Sequence, residues 1–309
     1  THTVRAVDRV SFALERGKTF GLVGNSGCGK TTLSRMITRV LKPSGGRIRF
    51  EGEDIARLDR KGSRAYHRRV QIIFQNPEAS LDPSMRIRDS LLEAMAIHRL
   101  GESREERMEK IRAALGQVGL PDYLLSRYPH QISGGEGQRL VICRALLLEP
   151  EVLLLDEPIN GLDPEGIVEF RNILLELNRQ RETTILISSH ILSELSNIAT
   201  HYGFLDGGRM LEQVSAARLR EKCRACLQLT VDDAARAARV LEEQLGTRDF
   251  EVLPQERLRL YAFLDHPQTV NRVLIEEGVG LISAQQKDSN LEDYFLALID
   301  GHSAGKEGA

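Results

Sequence analysis

Five stretches carry residue types at spacings that could do chemistry. The first is Gly24-Asn25-Ser26-Gly27-Cys28-Gly29-Lys30-Thr31, a glycine, four residues, then Gly-Lys-Thr. Glycines so placed let successive backbone N–H groups turn inward on a phosphate chain. Lys30 is expected at the β- and γ-phosphates and the Thr31 hydroxyl on Mg²⁺. An apolar run, Thr19 to Val23, precedes the loop, and an amphipathic run, Thr32 to Leu41, follows it. That strand–loop–helix context is what the motif needs.

The remaining stretches read as ends of elements aimed at the same place. Gln75 closes the apolar run Val70 to Phe74, where open α/β sheets bind ligands, and its amide can hold a metal-bound water. Ser133-Gly134-Gly135-Glu136 opens a helix running to Leu148; a capping serine and two glycines make a second phosphate-binding helix start, fit for another subunit's nucleotide. Val152 to Leu155 is a continuous apolar strand ending in Asp156 and Glu157. Asp156 is expected to serve Mg²⁺ through water, and Glu157 to accept a proton from an attacking water. A turn at Asn160-Gly161-Leu162-Asp163 leads into a helix over 164–180, and the strand Thr184–Ser188 delivers His190, a donor to a γ-phosphate.

The elements that must position these groups alternate strand and helix. Strands are expected at Val10–Leu14 and Arg47–Phe50, and helices over 86–99 and 103–118, the second with Met108, Ile111, Leu115 and Val118 on one face. Residues 57–69 are basic and read as a solvated helix and loop. The chain has 309 residues, 42 Lys plus Arg against 44 Asp plus Glu, and a net charge of -2, so it offers no global field for nucleic acid or anionic lipid. Four cysteines, one in the phosphate loop, fit a reducing compartment. No apolar run approaches membrane-spanning length and no secretory signal is present. The chain opens at Thr1 without a Met, so residues are expected upstream.

In their order and spacing the five stretches resemble those of the ABC-type ATPases, over roughly residues 4–212. The resemblance implies an α/β P-loop core, a helical subdomain at about 78–140, and ATP with Mg²⁺ bound by residues 24–31 together with Thr32. It also implies two units stacked head-to-tail, with Ser133, Gly134 and Gly135 acting across the seam and Asp163 lining it. Catalysis would fall to Glu157, His190, Gln75 and Lys30, and the metal to Thr31, Gln75 and Asp156. The signature departs from the common form in having Ile132 first and Glu136 last, and only His2 stands near the place of the family's adenine-stacking aromatic. Residues 4–150 look like the ATPases of oligopeptide, dipeptide and nickel importers (AVDRVSF, QIIFQNPEASLDP, RYPHQISGGEGQR). Residues 151–300 look like those of bacitracin-type exporters (LLLDEPINGLDPEGI, TILISSHILSEL, LEDYF).

Domains are expected at 1–214 and 215–309. In the second, the order β-α-β-β-α-β over 227–285 reads as a small ferredoxin-like α+β module, followed by an amphipathic helix at 290–299. Cys223 and Cys226 have the spacing of a redox or metal pair but lack the further ligands zinc needs, so they read as inert. The expected function is the ATPase subunit of a membrane transporter, peripheral on the cytoplasmic face through a permease partner, paired with a second ATPase subunit that is the same or different. The reading leans to export of a peptide antibiotic or similar compound, with an oligopeptide, dipeptide or nickel importer as the alternative. A soluble ABC ATPase acting on nucleic acid or ribosomes fits less well, since neither a second core nor a long coiled-coil insert is present.

Overall fold

The computed structural model describes residues 5–74, 80–160, 162–287 and 291–304. The chain falls into two compact units, residues 1–216 and 217–309.

The first unit is built on six strands: β1 (Thr19–Val23), β4 (Val70–Ile73), β5 (Val152–Asp156), β6 (Thr184–Ser189), β7 (His201–Asp206) and β8 (Arg209–Ser215), in the order β4-β5-β6-β1-β7-β8. All neighbours are parallel except the β7–β8 hairpin. Every residue of β1 and of β6 is buried. Continuous apolar strands of this kind belong at the centre of a sheet covered on both faces. On one face Phe20, Leu22, Val70, Leu154, Leu186 and Leu205 pack with Leu33 of α1 (Lys30–Ile37) and Tyr66 of α2 (Arg60–Arg69). Two-residue strands β2 (Arg49–Phe50) and β3 (Glu53–Asp54) pair antiparallel between these helices.

The insertion between β4 and β5 is helical: α3 (Ile87–Ile97), α4 (Arg104–Gln117) and α5 (Gly134–Leu146), with short 3-10 turns between the last two. Ile111, Leu115 and Val118 are buried as the spacing predicts, and Met108 is half-buried. Helices α6 (Pro164–Arg181) and α7 (Leu192–Leu195) follow β5 and β6. The strand expected at Val10–Leu14 does not form. Val10, Phe12 and Leu14 do pack against the core, with the Phe12 and Phe20 rings 5.2 Å apart, but the segment forms no strand. Alternation there reports which side chains lie against the core, not backbone pairing. The first helix stops at Ile37 rather than Leu41, because Thr38 turns its hydroxyl back to the Ser34 carbonyl and Arg39 takes a φ of 60°.

The second unit holds β9 (Cys226–Val231), α9 (Ala234–Glu243), β10 (Phe250–Leu253), β11 (Arg257–Leu260), α10 (Pro267–Glu276) and β12 (Leu281–Lys287). The sheet order β10-β11-β9-β12, antiparallel throughout, is the split arrangement of a ferredoxin-like module. Its core joins Leu227, Leu229, Leu258 and Leu260 to Leu241 and Leu274 of the two helices. Helix α8 (Ala216–Lys222) leads into it and α11 (Leu291–Ala304) follows. Cys223 and Cys226 are free thiols, and burial pushes both up, which suits an inert pair.

Candidate nucleotide-binding and hydrolysis site

Strand register brings the chemistry together. Val23 lies opposite Ser189, and Asp156 opposite Ser188, so β1, β5 and β6 end level with one another. Gly24, Glu157 and His190 therefore leave the sheet side by side, at the carboxyl edge where open α/β sheets bind ligands.

The loop after β1 requires its glycines. A Cβ on Gly24 would stand 2.3 Å from the Leu205 carbonyl oxygen and 2.4 Å from the Cys28 sulfur. Gly29 has φ +110° and would meet the Ala6 oxygen at 2.3 Å. Asn25, Ser26 and Gly27 form an exposed crown. Helix α1 starts with no side-chain cap and no acid in its first turn, which leaves its N-terminal N–H groups and their partial positive charge open to an anion. Lys30 is only 4% exposed. Its Nζ donates to the carbonyls of Gly24 (2.7 Å) and Asn25 (3.1 Å) and stands 3.3 Å from Glu157 Oε1. Thr31 and Thr32 follow in the first turn, half-buried. Burial pushes the Cys28 thiol up, against the pull of Lys30.

Asp156 is buried and accepts the Ser188 hydroxyl at 2.7 Å. Glu157 leaves the strand with φ 47°, its N–H donating to the Ser188 carbonyl at 3.1 Å. A left-handed residue that is not glycine costs roughly 1–2 kcal/mol; here it swings the carboxylate out of the strand's alternation and toward Lys30. The Asn160 amide donates to Glu157 Oε2 at 2.8 Å, and His190 Nδ1 lies 3.5 Å from the same oxygen. Lys30, Asn160 and His190 thus surround one carboxylate, and an anion on the loop would compete with it for the ammonium.

The other expected residues sit as follows. Ser133 caps α5 in a reciprocal box. Its Oγ accepts the Glu136 N–H, while the Glu136 carboxylate accepts the Ser133 N–H at 2.8 Å and its hydroxyl at 2.9 Å. The Ser133 N–H also holds the Glu136 carboxyl below its usual range. So the helix start is less bare than the glycines alone suggest: Gly134 is exposed, Gly135 lies near Leu162, and Ser133 is occupied by the acid. Asp163 caps α6, accepting the Gly166 N–H at 3.1 Å. Gln75 and His2 lie outside the described residues.

Three contributors escaped the sequence reading: Ser188 on Asp156, Asn160 on Glu157, and Gln138, whose amide donates to the Pro158 carbonyl at 2.6 Å and ties α5 to the loop after β5. A polar residue within the apolar run Thr184–Ser189, opposite an acid-ended strand, was the available signal for Ser188.

Comparison with known proteins gives concordant matches. The ABC transporter family profile matches residues 7–160. The oligopeptide transport ATP-binding protein OppF of Bacillus subtilis (strain 168) is 40% identical over 220 residues, 71% of this chain and 72% of that protein. The bacitracin transport ATP-binding protein BcrA of Bacillus licheniformis is 32% identical over 301 residues, 97% of this chain and 94% of its own length. Among solved structures, cbiO1 from Clostridium perfringens, part of the ABC transporter complex cbiONQ, superposes with a TM-score of 0.63 at 28% identity, covering 70% of this chain and 84% of its own.

Proposed function

The chain belongs to the ABC transporter family as an ATP-binding subunit with ATPase activity, and we propose that it powers export of a peptide antibiotic or a similar compound through a membrane permease. The observation that carries the hydrolytic part is the ring of Lys30, Asn160 and His190 around Glu157 at the mouth of the phosphate loop. Lys30 would hold the β- and γ-phosphates in place of its present carbonyl partners. Glu157, released from Lys30 by the arriving phosphates, would take the proton of the attacking water. His190 would donate to the γ-phosphate, and Gln75 would complete the catalytic set.

Mg²⁺ suits the donors present. Among the described residues no cluster of three or more His, Cys, Asp or Glu could hold a metal alone. A cation that takes one or two carboxylates, a hydroxyl, waters and substrate phosphates is what such a site accommodates. Thr31, Asp156 and Gln75 would hold it, and it would supply charge neutralisation at the phosphates. A second ATPase subunit, packed head-to-tail, would offer Ser133, Gly134 and Gly135 to the first subunit's nucleotide, with Asp163 near the seam. On the chain's likeness to transport ATP-binding proteins, the pore is assigned to partner permease subunits and the chain to their cytoplasmic face; no helix among the described residues is long and apolar enough to cross a membrane.

Export is favoured because the likeness to BcrA continues through the second unit, over 97% of the chain. The higher identity with OppF, over 71%, favours import as the second reading. Inverted membrane vesicles carrying the chain and its permease decide between them. ATP added outside should drive a peptide antibiotic into the vesicles; oligopeptide uptake by intact cells that is lost with Lys30→Ala would establish the importer instead.

A further inference from the structure

His190 owes its place beside Glu157 to something, and its own exposed ring does not supply it: the side chain is 39% exposed. The residue before it, Ser189, is the last of β6 and is buried. Its hydroxyl oxygen accepts the Ile191 N–H at 2.9 Å, closing a tight turn around His190. The hydroxyl has one hydrogen to give, and two oxygens are within reach: the Ile191 carbonyl at 3.2 Å and Glu194 Oε2 at 3.0 Å. The carboxylate is both nearer and the stronger acceptor. Glu194 sits in α7, whose Leu192 and Leu195 are anchored in the core. Burial holds the Glu194 carboxyl above the usual range, against the Ser189 hydroxyl and His190, which pull it down, while Glu157 adds to the rise.

We propose that Glu194, acting through the Ser189 hydroxyl, is a positioning residue that fixes the turn bearing His190 and so sets the imidazole against Glu157. The linkage runs from a core-anchored helix, through one carboxylate and one hydroxyl, to the backbone on both sides of residue 190. It rests on the reading that His190 serves hydrolysis, and it adds two residues, Ser189 and Glu194, to that reading.

The test is steady-state ATP hydrolysis by the full chain. Misplacing a reacting group by about 1 Å can cost on the order of 100-fold, so Glu194→Ala and Ser189→Ala should each lower kcat by roughly ten- to a hundred-fold while the KM for ATP stays within about two-fold. Glu194→Gln, whose amide oxygen can still accept the hydroxyl, should keep most of the activity. The double variant Ser189→Ala/Glu194→Ala should be no worse than either single one, because both remove the same link. In a His190→Ala background, adding Glu194→Ala should cost nothing further, whereas a general loosening of the fold would cost activity in any background. Unchanged kcat in Glu194→Ala, or a further loss in the His190→Ala background, would overturn the linkage alone. Wild-type kcat in His190→Ala itself would remove the reading of His190 and the linkage with it.

Discussion

Glu157 and Lys30 hold each other at 3.3 Å, and a phosphate chain on the loop would compete with the Glu157 carboxylate for the Lys30 ammonium. The ammonium is buried and aimed at the loop carbonyls, so nothing else in the loop replaces its charge. Lys30→Ala should abolish ATP binding at ~1 mM nucleotide, since the chief point charge on the β- and γ-phosphates is gone; equilibrium titration with a fluorescent analogue measures it, and undiminished affinity would refute the assignment of the loop. Glu157→Gln keeps size, the Asn160 contact and an acceptor oxygen but cannot take a proton. It should bind ATP and lose ~10²–10⁴-fold in turnover, about 3–5 kcal/mol of barrier. With hydrolysis stopped, the variant should elute as a dimer with ATP and as a monomer without it. Near-normal ATPase activity would sink the base assignment.

At the scale of elements, the site is made by strand ends in register and by a loop with no room for a side chain at Gly24 or Gly29. The Gly24 position is enclosed by the end of β7 and by Cys28, and the Leu205 carbonyl is backbone that cannot rotate away. Gly24→Ala should therefore destabilise the first unit by about 1–3 kcal/mol, as overpacking does, and also deform the loop. A lower melting temperature together with weakened nucleotide binding is the expected pair of results; a variant that melts and binds like the parent would mean the loop has slack the structure does not show. The Ser133–Glu136 box belongs to this scale too. Ser133→Arg removes the cap and fills the exposed helix start, so it should leave ATP binding by a single subunit intact and stop hydrolysis. Mixing it with Lys30→Ala protein should restore one composite site, read as recovered ATPase activity; no recovery over either variant alone would count against Ser133 acting across a seam.

For the molecule as a whole, the described residues form one core around the six-stranded sheet and another within the antiparallel module. Each joins its own sheet to its own helices. Deleting residues 224–309, just beyond the end of α8, should leave a fragment that unfolds cooperatively in urea and still binds ATP. A broad, non-cooperative transition would show that the first unit depends on the second for its stability.

The local parts of the site were legible in the chain. Glycine spacing demands a tight loop, a Ser at a helix start caps it, and an apolar run ending in two acids reads as a buried strand with a charged end; each is a constraint between residues a few positions apart. The antiparallel module was legible too, because its order of elements admits few connections. What the chain order could not give was the meeting of residues far apart in sequence. Ser188 on Asp156, His190 on Glu157 and Gln138 on the Pro158 carbonyl arise from strand register and helix docking, and one residue of register slip would send the same side chains to the opposite face. The same holds for Val10–Leu14, where alternation suggested a strand but the packed structure uses Val10, Phe12 and Leu14 against the core with no strand at these residues. The acid at Glu136 belongs with the local parts, since its carboxylate closes onto Ser133 three residues away in a capping box. Sequence thus determined which groups were available and which local turns they must make; tertiary structure decided which of them touch, because contact depends on register, and register is fixed by the burial of whole strands rather than by any motif.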